Sequence, residues 1–193
     1  MAAIFELLSV LVVSFGLNLV PFLSPSNLFI ASNAAVLVDA DPFTLGFLVA
    51  LGAALAKLIM YGVTFFVGKH LSQQRRQRID AQGLKIKRWA FLLLFVAAAT
   101  PIPDEPVIIP LGLMKYNLGK FFAAFFLGKL IITIAGAALG NWSLDAFSGV
   151  LGRTGLIVLS VVLTIVITVI MLKVDFGKLA EKVFKRKVVI PSE

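Results

Sequence analysis

The stretch Thr100-Pro101-Ile102-Pro103-Asp104-Glu105-Pro106-Val107-Ile108-Ile109-Pro110 sets two adjacent acids among four prolines, inside otherwise apolar sequence. Trp89 to Pro103 carries no charge, and neither does Pro106 to Met114. Each flank falls short of the ~20 apolar residues that a spanning helix needs. At ~1.5 Å per residue, Trp89 to Thr100 descends about 18 Å, roughly half of a ~30 Å hydrocarbon core. Proline removes a backbone donor and stops a helix. The stretch therefore predicts a helix that enters a membrane, breaks near its middle at Pro101, Pro103 and Pro106, and leaves by the face it entered. Broken backbone at that depth is tolerated where protein covers it or where it lines a wet cavity. Ionisable residues held there are functional candidates. The competing reading is an interfacial loop with both acids in water.

Composition agrees with a membrane setting. The 193 residues are 60% hydrophobic and 15% charged, a balance that fits one polytopic membrane domain better than a soluble one. A formal charge of +8 would suggest nucleic acid in a soluble protein. Here the basic residues flank apolar runs, so topology explains them and no nucleic-acid partner is expected. The absence of cysteine excludes disulfides, thiolate metal sites and thiol catalysis. His70, the single histidine, lies in a basic loop, and no metal or cofactor is expected. The N-terminus lacks the basic n-region of a cleavable signal, so it reads as mature membrane sequence.

The first third of the chain repeats the pattern. An apolar helix runs into Pro21-Phe22-Leu23-Ser24-Pro25-Ser26-Asn27, and a short apolar return follows from Leu28 to Val38. Asp39-Ala40-Asp41-Pro42 is a surface turn, with Pro42 suited to the first turn of a helix. Phe43 to Val67 is a full span whose only charge is Lys57. Lys69 to Arg88 is a polar loop with seven basic residues and one acid. After the second hairpin and a turn through Lys115, Asn117 and Lys120, Leu118 to Gly140 forms the next span, centred near Lys129. Asn141 to Arg153 reads as a short loop, residues 155–172 as a third span, and 173–193 as a basic amphipathic tail. Within that tail Phe176, Leu179, Ala180, Val183 and Phe184 share one helix face, suited to an anionic cytoplasmic surface.

With the 69–88 loop inside and residues 89–114 re-entrant, fifteen of the eighteen Lys and Arg fall on the cytoplasmic side. A full crossing by 89–114 would put the basic tail opposite the basic loop. The expected fold is thus an all-α polytopic membrane protein with two inverted re-entrant hairpins, each followed by a span. A third span and the cytoplasmic tail complete it. The single membrane domain covers 1–172, with inverted repeats at 4–67 and 84–140. Lys57-Leu58-Ile59 and Lys129-Leu130-Ile131 occupy matching places in the two spans. Inverted broken helices that meet at the midplane are a transporter architecture.

A lone charge at midplane costs ~2.5 to 3.5 kcal/mol on insertion scales. Asp104 and Glu105 can offset Lys57 and Lys129 by pairing. The functional reading is a polar cavity in which these four contact a substrate headgroup or exchange protons; the structural reading is two ion pairs that brace the hairpin. Asn27 and Ser24 at the first tip either bind a headgroup or cap the return helix. Enzyme readings lack support: His70 is in a basic loop, Ser148 has no partner histidine, and adjacent Asp104 and Glu105 do not form a two-segment dyad. Gly136 and Gly140, four apart, read as a helix contact.

The arrangement resembles the DedA family, also called the SNARE-associated or VTT-domain superfamily, over roughly residues 15–140. The carriers are the proline-bracketed first tip, Gly52-Ala53 followed by Tyr61 and Gly68-Lys69, then Pro101-Ile102-Pro103, Leu111-Gly112-Leu113-Met114, Phe121-Phe122 and Gly128. The family commonly has a glutamate at the first tip, an aspartate in the first span and arginines at the second tip. This chain has Asn27, Lys57 and the acids Asp104 and Glu105. The charge count puts the C-terminus on the cytoplasmic side, and the resemblance implies a multi-pass cell-membrane protein that moves lipids or lipid-linked phosphates, with anionic lipid or polyprenyl-phosphate headgroups as partners. A coupled transporter of a small solute or ion and a non-transporting membrane-organising protein stay open as alternatives, as does a homo-oligomer.

Overall fold

Long uninterrupted apolar runs can satisfy their backbone groups only as helices, and prolines set where the helices stop. The computed structural model describes residues 2–21, 24–70 and 87–173; the basic loop at 71–86 and the tail from 174 lie outside the described residues. The described residues are helical throughout, joined by short turns. Helix α1 (Ala2–Leu19) runs into the first tip, and α2 (Asn27–Leu37) returns from it. Helix α3 (Pro42–Lys69) starts with Pro42 in its first turn and Asp41 as N-cap, whose carboxylate accepts from the Thr44 backbone N–H at 2.9 Å. Helix α4 (87–98) runs into the second tip, and α5 (Glu105–Leu113) leaves it.

A helical run from Leu118 to Lys173 is broken at Gly152, where φ is 65° and ψ 165°. Only glycine adopts that conformation without strain. The break divides the run into α6 (Leu118–Gly152) and α7 (Thr154–Ile170). The loop expected over Asn141 to Arg153 is therefore helix up to the glycine: the segment has no proline, and its polar residues are carried on an exposed helical surface. Helices α3 and α6 are each long and apolar enough to cross a membrane, while α7 is apolar but shorter.

The packing is an interlock. Each long helix lies against the incoming helix of its own half and the returning helix of the other half. Gly52 of α3 faces the Leu11 carbonyl of α1, and Gly128 of α6 faces the Phe95 carbonyl of α4. Across the halves, Gly68 of α3 lies under Leu113 of α5, and Gly136 and Gly140 of α6 lie under Leu28 and Ser32 of α2. The Gly136/Gly140 pair is thus a small-residue helix contact, as its spacing predicts. The long helices touch where Gly46 meets Ile134, and the Thr133 hydroxyl donates to the Gly46 carbonyl at 2.8 Å. As a result, α2 ends near the first turn of α3 and α5 ends near its last turn, while both start between the two ends.

Two apolar cores flank that middle level. One is aromatic, with Tyr61, Phe121 and Phe125 packed among Leu94, Ile108 and Leu111. The other is built of smaller side chains, including Ala31, Leu45, Val49 and Ala137.

Candidate functional site: a charged cavity between two tips

An amine inside an apolar helix must find an anion, and each long helix carries one such amine. The α3 amine, Lys57, reaches across to the second tip. Its Nζ donates to Glu105 Oε1 at 2.6 Å and lies 3.5 Å from Asp104 Oδ1. Lys129 of α6 approaches the same acid from the other side, with Nζ 2.7 Å from Asp104 Oδ2. It also sits 5.2 Å from the centroid of the Phe125 ring, a cation–π contact. Lys57 is 1% exposed, Glu105 and Lys129 3%, and Asp104 4%, so the cluster is sealed from the surroundings. The sequence brings the acids there for a local reason: Asp104 is the N-cap position of α5 and Glu105 its first residue, where the positive end of the helix dipole favours anions. Pro106 follows in the first turn and is exposed.

The first tip is uncharged and faces this cluster. Asn27 exchanges a pair of amide hydrogen bonds with Asn18 of α1, both at 2.9 Å. Ser24 donates back to the Val20 carbonyl at 2.9 Å. The expectation that Ser24 or Asn27 caps the return helix is corrected: Ser26 holds the N-cap position, and no side chain caps α2. The reason is that both candidates are engaged by α1 or by the turn before it. Ser26 Oγ is buried with no hydrogen-bond partner.

Between the tips lies a cavity of about 50 Å³, enough for a few waters. The first hairpin contributes Asn18, Ser24, Pro25, Ser26 and Asn27; the second contributes Thr100 through Glu105; Lys57, Lys129 and Thr168 of α7 close it. All six residues singled out as binding candidates therefore meet at one place. Of the tip prolines, Pro25, Pro101 and Pro103 line it; Pro21 and Pro106 do not. Asn18, Ser26 and Thr168 were not identified from the sequence. Asn18 is a lone amide in an apolar helix, and Thr168 continues the four-residue spacing of Ser160 and Thr164. Among the described residues no group of three or more His, Cys, Asp or Glu is placed to hold a metal.

Comparison with known proteins bears on this architecture. The VTT domain matches residues 24–142, which is more than half of the chain; it begins within the first tip, at Ser24, and contains the second tip and both lysines. The chain is also similar to ATP synthase subunit a of Candida albicans (strain SC5314 / ATCC MYA-2876), 26% identical over 145 residues. That match covers 72% of this chain and 52% of the other protein, so the chain spans about half the length of this curated relative. No solved structure matches the chain. On the extent of the domain match, the chain belongs to the VTT-domain family, the DedA or SNARE-associated group, which is membrane-associated and generally linked to transport.

Proposed function

We propose that this protein translocates or scrambles lipids or lipid-linked phosphates through the cavity between its two tips. On this reading it is a multi-pass protein of the cell membrane, both hairpins are re-entrant, and α7 is a third span. The observation that carries the reading is the meeting of the two proline-broken tips at one level between the ends of α3. There the N-termini of α2 and α5 point at a space bordered by two lysines and by Ser26. Helix N-termini and lysines attract oxyanions.

Asp104 and Glu105 then act as internal stand-ins for the substrate anion. With no substrate present they neutralise Lys57 and Lys129 and keep the cluster tolerable at membrane depth. An incoming phosphate competes for the same ammonium groups, and the displaced carboxylates gain a proton or turn toward water. At about 50 Å³ the cavity has room for a few waters and is too small for a headgroup, so passage requires the tips to separate. That small volume also favours a second reading, a transporter coupled to a small ion or solute at the same site.

Reconstitution into liposomes with a fluorescent lipid in one leaflet tests the proposal. Transport of the label above that of protein-free liposomes is expected, with loss of the excess in Glu105→Gln. Labelled lipid that stays in its leaflet, alongside a proton or solute flux across the same liposomes, would leave the second reading in its place.

A further inference from the structure

We propose that the groove between α1, α2 and α7 holds one acyl chain of the lipid whose headgroup enters the polar cavity; this rests on the lipid reading above. The groove measures about 310 Å³ and its walls are mostly hydrocarbon, among them Val13 and Leu17 of α1, Ile30 and Leu37 of α2, and Val161 and Ile165 of α7. It lies beside the cavity, with Pro25 bordering both. A polar space and an apolar space thus stand side by side, the arrangement an amphipathic lipid needs.

The polar residues on the groove wall are satisfied inside the protein. Ser9 donates to the Glu6 carbonyl, Thr164 to the Ser160 carbonyl, and Asn33 to the Phe29 carbonyl and the Thr164 hydroxyl. Ser160 donates in turn to Asn33 Oδ1 at 2.6 Å, which ties α7 to α2 along the groove floor. Every side-chain donor here is already used, so a polar ligand would gain little from these side chains, whereas a hydrocarbon chain needs no partner. The cavity at the other side of Pro25 is the opposite case, since Ser26 Oγ there is buried and unpaired.

Size selects a chain over a helix. The 11 residues of α2 are about 17 Å long, close to half of a ~30 Å hydrocarbon core, which is the reach of one acyl chain in one leaflet. A helix ~10 Å wide laid along that length would need on the order of 1,000 Å³, well beyond the groove. A second copy of this chain or a helical tail is therefore disfavoured as the occupant.

The test uses liposomes containing a phospholipid with a photoactivatable diazirine midway along one acyl chain. Adducts mapped by mass spectrometry should concentrate on Val13, Leu17, Val161 and Ile165 over the exposed apolar residues of α6. Val13→Trp and Val161→Trp, both at exposed positions on the groove wall, should each keep the wild-type thermal melt and lower those adducts by about tenfold. Val158→Trp, exposed on α7 outside the groove, should leave them unchanged. Adducts spread evenly over α1, α6 and α7, or unmoved by both groove-filling variants, would reduce the groove to ordinary lipid contact and overturn the proposal. Localised adducts in a protein that moves no lipid would keep the groove and remove the transport reading instead.

Discussion

At the scale of single residues, the four buried charges were legible because each one is expensive where it stands. Lys57 and Lys129 interrupt spans, and Asp104 and Glu105 interrupt an apolar hairpin, so their mutual compensation follows from cost alone. Which lysine takes which acid did not follow, since Lys57 and Glu105 are 48 residues apart and only the crossing of α3 over α5 decides it. Asn18 escaped notice for the opposite reason, since an uncharged polar side chain in an apolar helix costs far less than a charge, and Ser26 had nothing to set it apart from the other polar residues of its tip. The geometry fixes a prediction. Asp104→Asn or Glu105→Gln leaves an ammonium group without its full counter-charge, and removing one partner of a buried pair destabilises by about 3–5 kcal/mol. Charge-balanced doubles, Glu105→Gln with Lys57→Gln or Asp104→Asn with Lys129→Gln, should recover most of that loss in thermal unfolding. Lipid transfer in liposomes should stay lost in both doubles. A double that transports at the wild-type rate would leave the cluster only a brace.

At the scale of helices, proline and charge gave the breaks, whereas the continuation of α6 past Asn141 had no such marker. The crossings depended on glycines whose spacing was readable but whose partners were not. At Gly46 an added methyl would lie 2.7 Å from the backbone nitrogen of Ile134, while at Gly62 it would meet nothing within 4 Å. Gly46→Ala should therefore destabilise by about 1–3 kcal/mol, as overpacked cores do. Gly62→Ala should be neutral or stabilise by about 0.5–1 kcal/mol, the helix preference for alanine. Paired thermal melts in one detergent separate the two. The start of α3 offers a charge test. The Thr44 hydroxyl and then its backbone N–H bond to the Asp41 carboxylate and hold its pKa below the ordinary value. A carboxylate with a depressed folded pKa adds stability above its unfolded pKa and loses it as pH falls through the folded one. Asp41→Asn keeps a capping side chain but removes the charge, so it should lower the melting temperature at neutral pH and converge with wild type in acid. An equal gap at both pH values would show that the charge contributes nothing.

At the scale of the molecule, the described charges divide by end. Lys69 and Lys115 both lie near the Phe65 ring, so the ends of α3 and α5 share one basic face with Lys120 at the start of α6. The opposite end carries Asp39, Asp41 and Asp145, with Val38 and Asp39 beside Asn141 and Asp145. Basic residues favour the cytoplasmic side, so the first face should be inside and the acidic face outside. Helix α7 starts after Gly152 and reaches the cavity at Thr168, so it runs from the acidic end toward the level of the tips. The natural sequence has no cysteine, so single cysteines report accessibility without background. Replacements of Gln77 and Lys182 should react with a membrane-impermeant thiol reagent only from the cytoplasmic side, and a replacement of Ser143 only from outside. The pair Gln77 and Lys182 decides the point, because residues 89–114 and two further helices lie between them. On the proposed topology a re-entrant hairpin adds no crossing, and α6 with α7 as a third span adds two, which would return the tail to its starting side. If residues 89–114 crossed fully, the number of crossings would become odd. Labelling of Gln77 and Lys182 from opposite sides would therefore remove the re-entrant hairpin, and with it the midplane cavity on which the transport proposal stands.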